Sequence, residues 1–237
     1  MVDTPDDEMP AHVWHPPEGS GPGILVLQEI FGVSAYIERR AADLAALGYV
    51  VVAPEIFWRH GVSRVEEGPH AFEEAYALLQ RTDWAAAVQD AGRALETLRA
   101  MPEVSGGVGV VGFCYGGGLG FNVAADFGPD VLVSYYGSAL PVLLGIAPPE
   151  PGIPTLDAGQ VTAASLHHFG LSDSFLGRPV VEKVREILAV LPHVVFESYE
   201  NADHAFDNDD FVLFDADASA LAWQRTVDFL RHRLPAG

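Results

Sequence analysis

One cysteine and one lysine stand in a chain of 237 residues. With Cys114 alone, neither an intrachain disulfide framework nor a multi-cysteine zinc or iron-sulfur site can form. Lys183 is joined only by scattered arginines, 13 Lys+Arg against 33 Asp+Glu, for a formal charge of −20. No basic stripe exists to displace counterions from phosphates, which argues against nucleic acid and anionic membrane surfaces as partners. Long apolar runs are missing too. The longest, Ala139 to Pro149, covers about 11 residues and is broken by Pro and Gly, short of the roughly 18 to 20 that span a bilayer. The amino terminus, Met1 to Glu8, is acidic and lacks the basic and apolar regions of a secretory signal, so the expected location is the cytoplasm. The acidic excess fits either a salt-adapted host or plain solubility.

What is present is core material: apolar residues make up 49% of the chain and charged residues 19%, a balance suited to independent folding. Short branched runs at Ile24–Leu27, Tyr49–Ala53, Val108–Val111 and Val131–Tyr135 read as strands buried on both faces, with two more near Ser165–Phe169 and Val194–Tyr199. Between them lie helical patterns at about Tyr36–Leu47, Glu66–Leu79, Trp84–Arg99, Gly116–Ala125, Arg178–Leu191 and Ala218–Arg233. His12 and His15 are read as preceding the sheet. Such alternation predicts an α/β fold, mainly a parallel sheet with helices on both faces. A split at the Pro-rich stretch Ala147–Gly152 would leave two strands behind it, too few for a second parallel sheet. A single domain over residues 1–237 is therefore expected, with residues 1–10 flexible. In such sheets functional groups gather at the carboxyl ends of strands.

The strand at Val108–Val111 runs directly into Gly112-Phe113-Cys114-Tyr115-Gly116, then into a helical pattern. This is a G-x-nucleophile-x-G elbow with Cys in the place of Ser, and a helix amino terminus beneath the sulfur favours thiolate. An elbow nucleophile expects an acid and then a base, each on a loop after a later strand. Asp173 and His204 fit that order. Asp126 and Asp130 surround a helix end, Glu182 and Glu186 lie mid-helix, and Asp157 precedes a strand.

Here the chain resembles the dienelactone hydrolases, cysteine members of the α/β-hydrolase superfamily. The resemblance runs from Pro22-Gly23-Ile24 to Phe229-Leu230 and is carried by Gln28-Glu29-Ile30-Phe31-Gly32, Gly112-Phe113-Cys114-Tyr115-Gly116-Gly117, Gly170-Leu171-Ser172-Asp173 and Ala202-Asp203-His204-Ala205-Phe206. It implies an α/β-hydrolase fold and a Cys-His-Asp triad that opens an ester or lactone through an acyl-enzyme thioester. It further implies that Glu29 contacts the resting thiol and helps to activate it. The oxyanion hole is expected from the backbone N–H groups of Ile30 and Tyr115.

The match also has gaps. Family members hold an anionic substrate with two arginines; local matching puts Phe72 and Asn208 at those places, while Tyr76 keeps the family's tyrosine. Neither replacement can form a guanidinium fork with a carboxylate. Arg81 is the nearest substitute charge, a surface ion pair being its other reading. The acidic run Asp207–Asp210, with Asp215 and Asp217, lacks EF-hand spacing and is read as a solvated loop, and no metal is expected. Phe57, Trp58, Phe72 and Trp84 are read as pocket lining or as core.

The leading expectation is a cofactor-independent hydrolase of a small ester or lactone, monomeric or a small homo-oligomer. The rivals are a relative acting on neutral esters, thioesters or another carbonyl compound, and a small-molecule binding protein without turnover.

Overall fold

The computed structural model describes residues 1–66 and 68–236. Val2–Asp3 (β1) and Glu8–Met9 (β2) form a small antiparallel ladder, and Val2 and Met9 insert into the core. Residues 1–10, expected to be flexible, thus carry pairing and buried side chains of their own. Ala11–Trp14 (β3) follows, then Gly21–Leu27 (β4), the helix Ala35–Ala46 (α1) and Val50–Pro54 (β5). Helices Ala71–Arg81 (α2) and Trp84–Ala100 (α3) precede the central strand Val104–Phe113 (β6) and its helix Tyr115–Phe127 (α4). The chain continues through Val131–Tyr135 (β7), Leu140–Leu143 (α5), Ala164–Gly170 (β8), Arg178–Leu188 (α6), Val194–Tyr199 (β9) and Ala216–Arg233 (α7).

One seven-stranded sheet runs β3-β5-β4-β6-β7-β8-β9, parallel throughout except for the antiparallel edge strand β3. Every residue of β4, β5 and β7 is buried, as continuous branched runs require when helices cover both faces. Helices α3, α4, α5 and α6 adjoin one another on one face, while α1 and α7 meet on the other through Arg40, which lies over Trp223. No helix among the described residues is long and apolar enough to cross a membrane.

Several expectations need correction. His12 does not precede the sheet; it lies in β3, opposite Ala53. Its strand escapes a hydropathy reading because an edge strand is only half covered and carries polar residues. The helix expected from Glu66 begins at Ala71, since Pro69 disfavours helical backbone in the residue before it; Glu67 lies outside the described residues. Likewise α6 stops at Leu188 rather than Leu191, ahead of Pro192.

Because β4, β6, β8 and β9 run parallel, their carboxyl ends meet at one edge. Glu29 follows β4, Cys114 follows β6, Asp173 follows β8 and His204 follows β9. The topology therefore collects residues far apart in sequence at one rim.

Candidate active site

Cys114 sits between β6 and α4 with φ 51° and ψ −111°, a left-handed conformation that a side-chain-bearing residue rarely adopts. Its neighbours explain how the turn closes. A Cβ on Gly112 would lie 2.1 Å from the Gly116 carbonyl oxygen, and one on Gly116 would lie 2.3 Å from that of Leu27. The Gly116 N–H donates to the Gln28 carbonyl, binding the elbow to the end of β4, while the Cys114 carbonyl accepts from Gly117, Gly118 and Ser138. The sulfur is thereby held over the amino terminus of α4.

His204 Nε2 lies 3.1 Å from Cys114 Sγ, and His204 Nδ1 lies 2.8 Å from Asp173 Oδ2. The other Asp173 oxygen accepts from the Phe175 and Leu176 N–H groups, so the carboxylate cannot rotate away without breaking both bonds. Burial opposes a charge on His204, yet Cys114 and then Asp173 push its pKa up to about 10. An imidazolium facing the sulfur is accordingly favoured. Asp203, the adjacent acid, does not touch the ring: it accepts from the backbone N–H groups of Ser174 and His204 and ties two loops together.

Glu29 is almost completely buried, and desolvation raises its pKa to about 7. Its partners are Asn208, whose Nδ2 donates at 2.7 Å, and Tyr136, whose hydroxyl donates at 3.3 Å. It makes no hydrogen bond to Cys114, whose sulfur faces His204 instead. The thiol contact implied by the resemblance is thus not a hydrogen bond in this arrangement. Tyr136 was not foreseen, although it directly follows β7 and the strand-end rule reaches it. It too is strained, at φ 38°, and its ring lies 5.3 Å from that of His204. Behind it, its hydroxyl lies 3.2 Å from that of Tyr36, which donates to Asp207, itself held by Arg40 and Ser219.

The Gly116–Gln28 bond joins the segments that carry the Ile30 and Tyr115 N–H groups, and neither of these donates to another carbonyl among the turns and caps of the described residues. Phe72 and Tyr76 lie on α2, both substantially exposed, and stack with centroids 6.4 Å apart. Phe72 also meets Phe175, whose ring lies 4.8 Å from His204. No sequence signal marked Phe175, an aromatic residue in a loop. Arg81 closes the last turn of α2, nine residues from Phe72 and so roughly 13 Å along the axis. Its charge acts on His60.

Phe57 and Trp84 prove to be core, packed on the Tyr115 ring, and Trp58 donates to Asp90. The acidic run is partly tied down rather than wholly solvated: Arg39 holds Asp209 and Asp210, and Arg40 holds Asp207. Among the described residues no group of three or more His, Cys, Asp or Glu side chains is arranged to hold a metal ion.

Comparisons with known proteins bear on the family and the fold. A family model described as "Dienelactone hydrolase family" matches residues 9–234. A carboxymethylenebutenolidase of Pseudomonas putida is 34% identical over 222 residues, covering 93% of this chain and 89% of its own. Among solved structures, a dienelactone hydrolase-like promiscuous phosphotriesterase from metagenomic libraries superposes with a TM-score of 0.73 at 24% identity, covering 95% of this chain and 93% of that one. The acylaminoacyl peptidase of Pyrococcus horikoshii gives 0.73 at 16% identity, covering 99% of this chain and 41% of its own.

Proposed function

The chain belongs to the dienelactone hydrolase family, and from that premise we propose that it cleaves an ester or lactone by attack of Cys114, through a thioester acyl-enzyme. The Asp173–His204–Cys114 line, ending on a strained elbow over a helix amino terminus, carries this reading.

In acylation the Cys114 thiolate adds to the substrate carbonyl carbon, and the carbonyl oxygen takes the negative charge between the Ile30 and Tyr115 N–H groups. The tetrahedral species collapses as the carbon–oxygen bond to the alcohol breaks, His204 giving its proton to the departing oxygen. In deacylation His204 takes a proton from water, hydroxide adds to the thioester carbon, and the carbon–sulfur bond breaks to release the acid and restore the thiolate. Asp173 fixes the imidazole so that Nε2 faces the sulfur throughout. Glu29, poised near neutrality beside His204, biases the charge of that pair: ionised it steadies the imidazolium, and neutral it does not. Asn208 holds Glu29 rather than substrate.

Mixing the protein with excess 4-nitrophenyl acetate should give a burst of one nitrophenolate per thiol and a mass increase of one acetyl group on Cys114. A burst without the adduct, or turnover retained by Cys114→Ala, would place the chemistry elsewhere.

A further inference from the structure

Three large aromatic side chains stand exposed together at the rim: Phe72 at 42%, Tyr76 at 50% and Phe175 at 55%. Burying such surface is the main force of folding, so a contiguous exposed aromatic group marks a surface with an occupant. Elsewhere among the described residues the one exposed large aromatic side chain is Phe214, at 41%, and it pairs with no other ring. At the rim the rings are ordered. Phe72 and Tyr76 have nearly parallel ring planes, 4° apart, and Phe175 tilts against Phe72 at 5.9 Å, leaving a stepped apolar surface that leads to His204.

Position identifies which part of a substrate would meet this surface. His204 Nε2 faces Cys114 and must hand its proton to the leaving oxygen, so the alcohol departs on the imidazole side. Phe175 covers that same imidazole at 4.8 Å. Charge narrows the class further. Glu73 and Glu74 follow Phe72 in the first turn of α2, Asn208 is turned inward to Glu29, and Arg39 and Arg40 are held by carboxylates. A negative substituent on the alcohol half would meet acids and no unpaired guanidinium among these residues.

We propose that Phe72, Tyr76 and Phe175 form the subsite for the alcohol half of the substrate, and that this half is an uncharged aromatic ring. The inference rests on the thioester reading above, since only that reading fixes the side from which the alcohol leaves.

Benzyl and methyl butyrate test it, because they share an acyl group and have alcohols of similar acidity. The wild type should favour the benzyl ester in kcat/KM. Phe72→Ala and Tyr76→Ala should each lower the benzyl-to-methyl ratio about fivefold, the loss of one aromatic contact. Both side chains are surface residues on α2, and circular dichroism verifies that the variants fold. A second readout does not need turnover: benzyl alcohol should protect Cys114 from iodoacetamide more than 4-(hydroxymethyl)benzoate does, and Phe72→Ala should weaken that protection. An unchanged ratio in both variants, equal protection by both alcohols, or a concentration-dependent dimer that Phe72→Ala dissociates would overturn the subsite. Turnover surviving in Cys114→Ala would instead overturn the thioester reading.

Discussion

Asn208 donates from its side-chain nitrogen to Glu29 Oε2 at 2.7 Å, joining the loop after β9 to the end of β4 across 179 positions of sequence. The residue matched to a carboxylate-binding arginine is thus engaged with a carboxylate of the protein itself. Its other side-chain atom, Oδ1, accepts from the Asp210 N–H, so the amide has a fixed orientation.

Removing that donor should change both stability and titration. In Asn208→Ala the buried Glu29 loses a hydrogen bond that lowers its pKa, so the neutral limb of the kcat/KM profile should move to higher pH. The charge-assisted bond is worth about 1.5 to 3 kcal/mol, and urea unfolding at pH 8 should show a loss of that order. Asn208→Arg should move the limb the other way by pairing Glu29 with a cation. A profile identical in all three proteins would remove Glu29 from the pH dependence.

Glu29 also links pH to stability. Its folded pKa of about 7 exceeds the ordinary 4.5, so between those values the unfolded chain releases a proton that the folded one keeps. Stability should therefore fall as pH rises from 4.5 through 7, by about 3 kcal/mol from this group alone. Glu29→Gln abolishes that ionisation. Its melting temperature should exceed the wild type's more at pH 8 than at pH 5, while turnover drops. Equal differences at the two pH values would count against a buried, titrating Glu29.

The opposite sign applies to His167. It is buried within β8 with both ring nitrogens unpartnered, and desolvation lowers its pKa to about 3. As pH falls below 6.5 the unfolded chain takes up a proton that the folded one refuses, costing about 2 kcal/mol by pH 5. In His167→Leu the acid limb of a stability profile should be flatter by about that amount. The same slope in both proteins would show that His167 is not a source of acid sensitivity.

Cys114, His204 and Asp173 should behave as one unit. Cys114→Ala and His204→Ala should each lower kcat by about a thousandfold or more, and the double variant should be little worse than either. Asp173→Asn should be nearly as damaging. Asp203→Asn should mainly cost stability, because Asp203 holds backbone N–H groups of the loop and not the imidazole. Additive losses, or a larger kcat effect at Asp203 than at Asp173, would reassign the acid.

The strand and helix alternation, the elbow around Cys114 and the chain order of Asp173 and His204 are all readable from the residues in order. These were legible because periodicity, glycine spacing and connection order are local properties, set by the geometry of a few consecutive residues. The ends of α2 and α6 were shifted by Pro69 and Pro192, and edge strand β3 was hidden by its half-polar surface. Contacts between distant segments had to wait for the folded chain: Asn208 faces Glu29, Tyr136 and Tyr36 join Glu29 to Asp207, and Phe175 comes to lie between Phe72 and His204. None of these pairs leaves a periodic trace. Each arises because parallel strands bring their carboxyl ends to one edge, where burial and partner geometry, rather than residue type, set what a side chain can do.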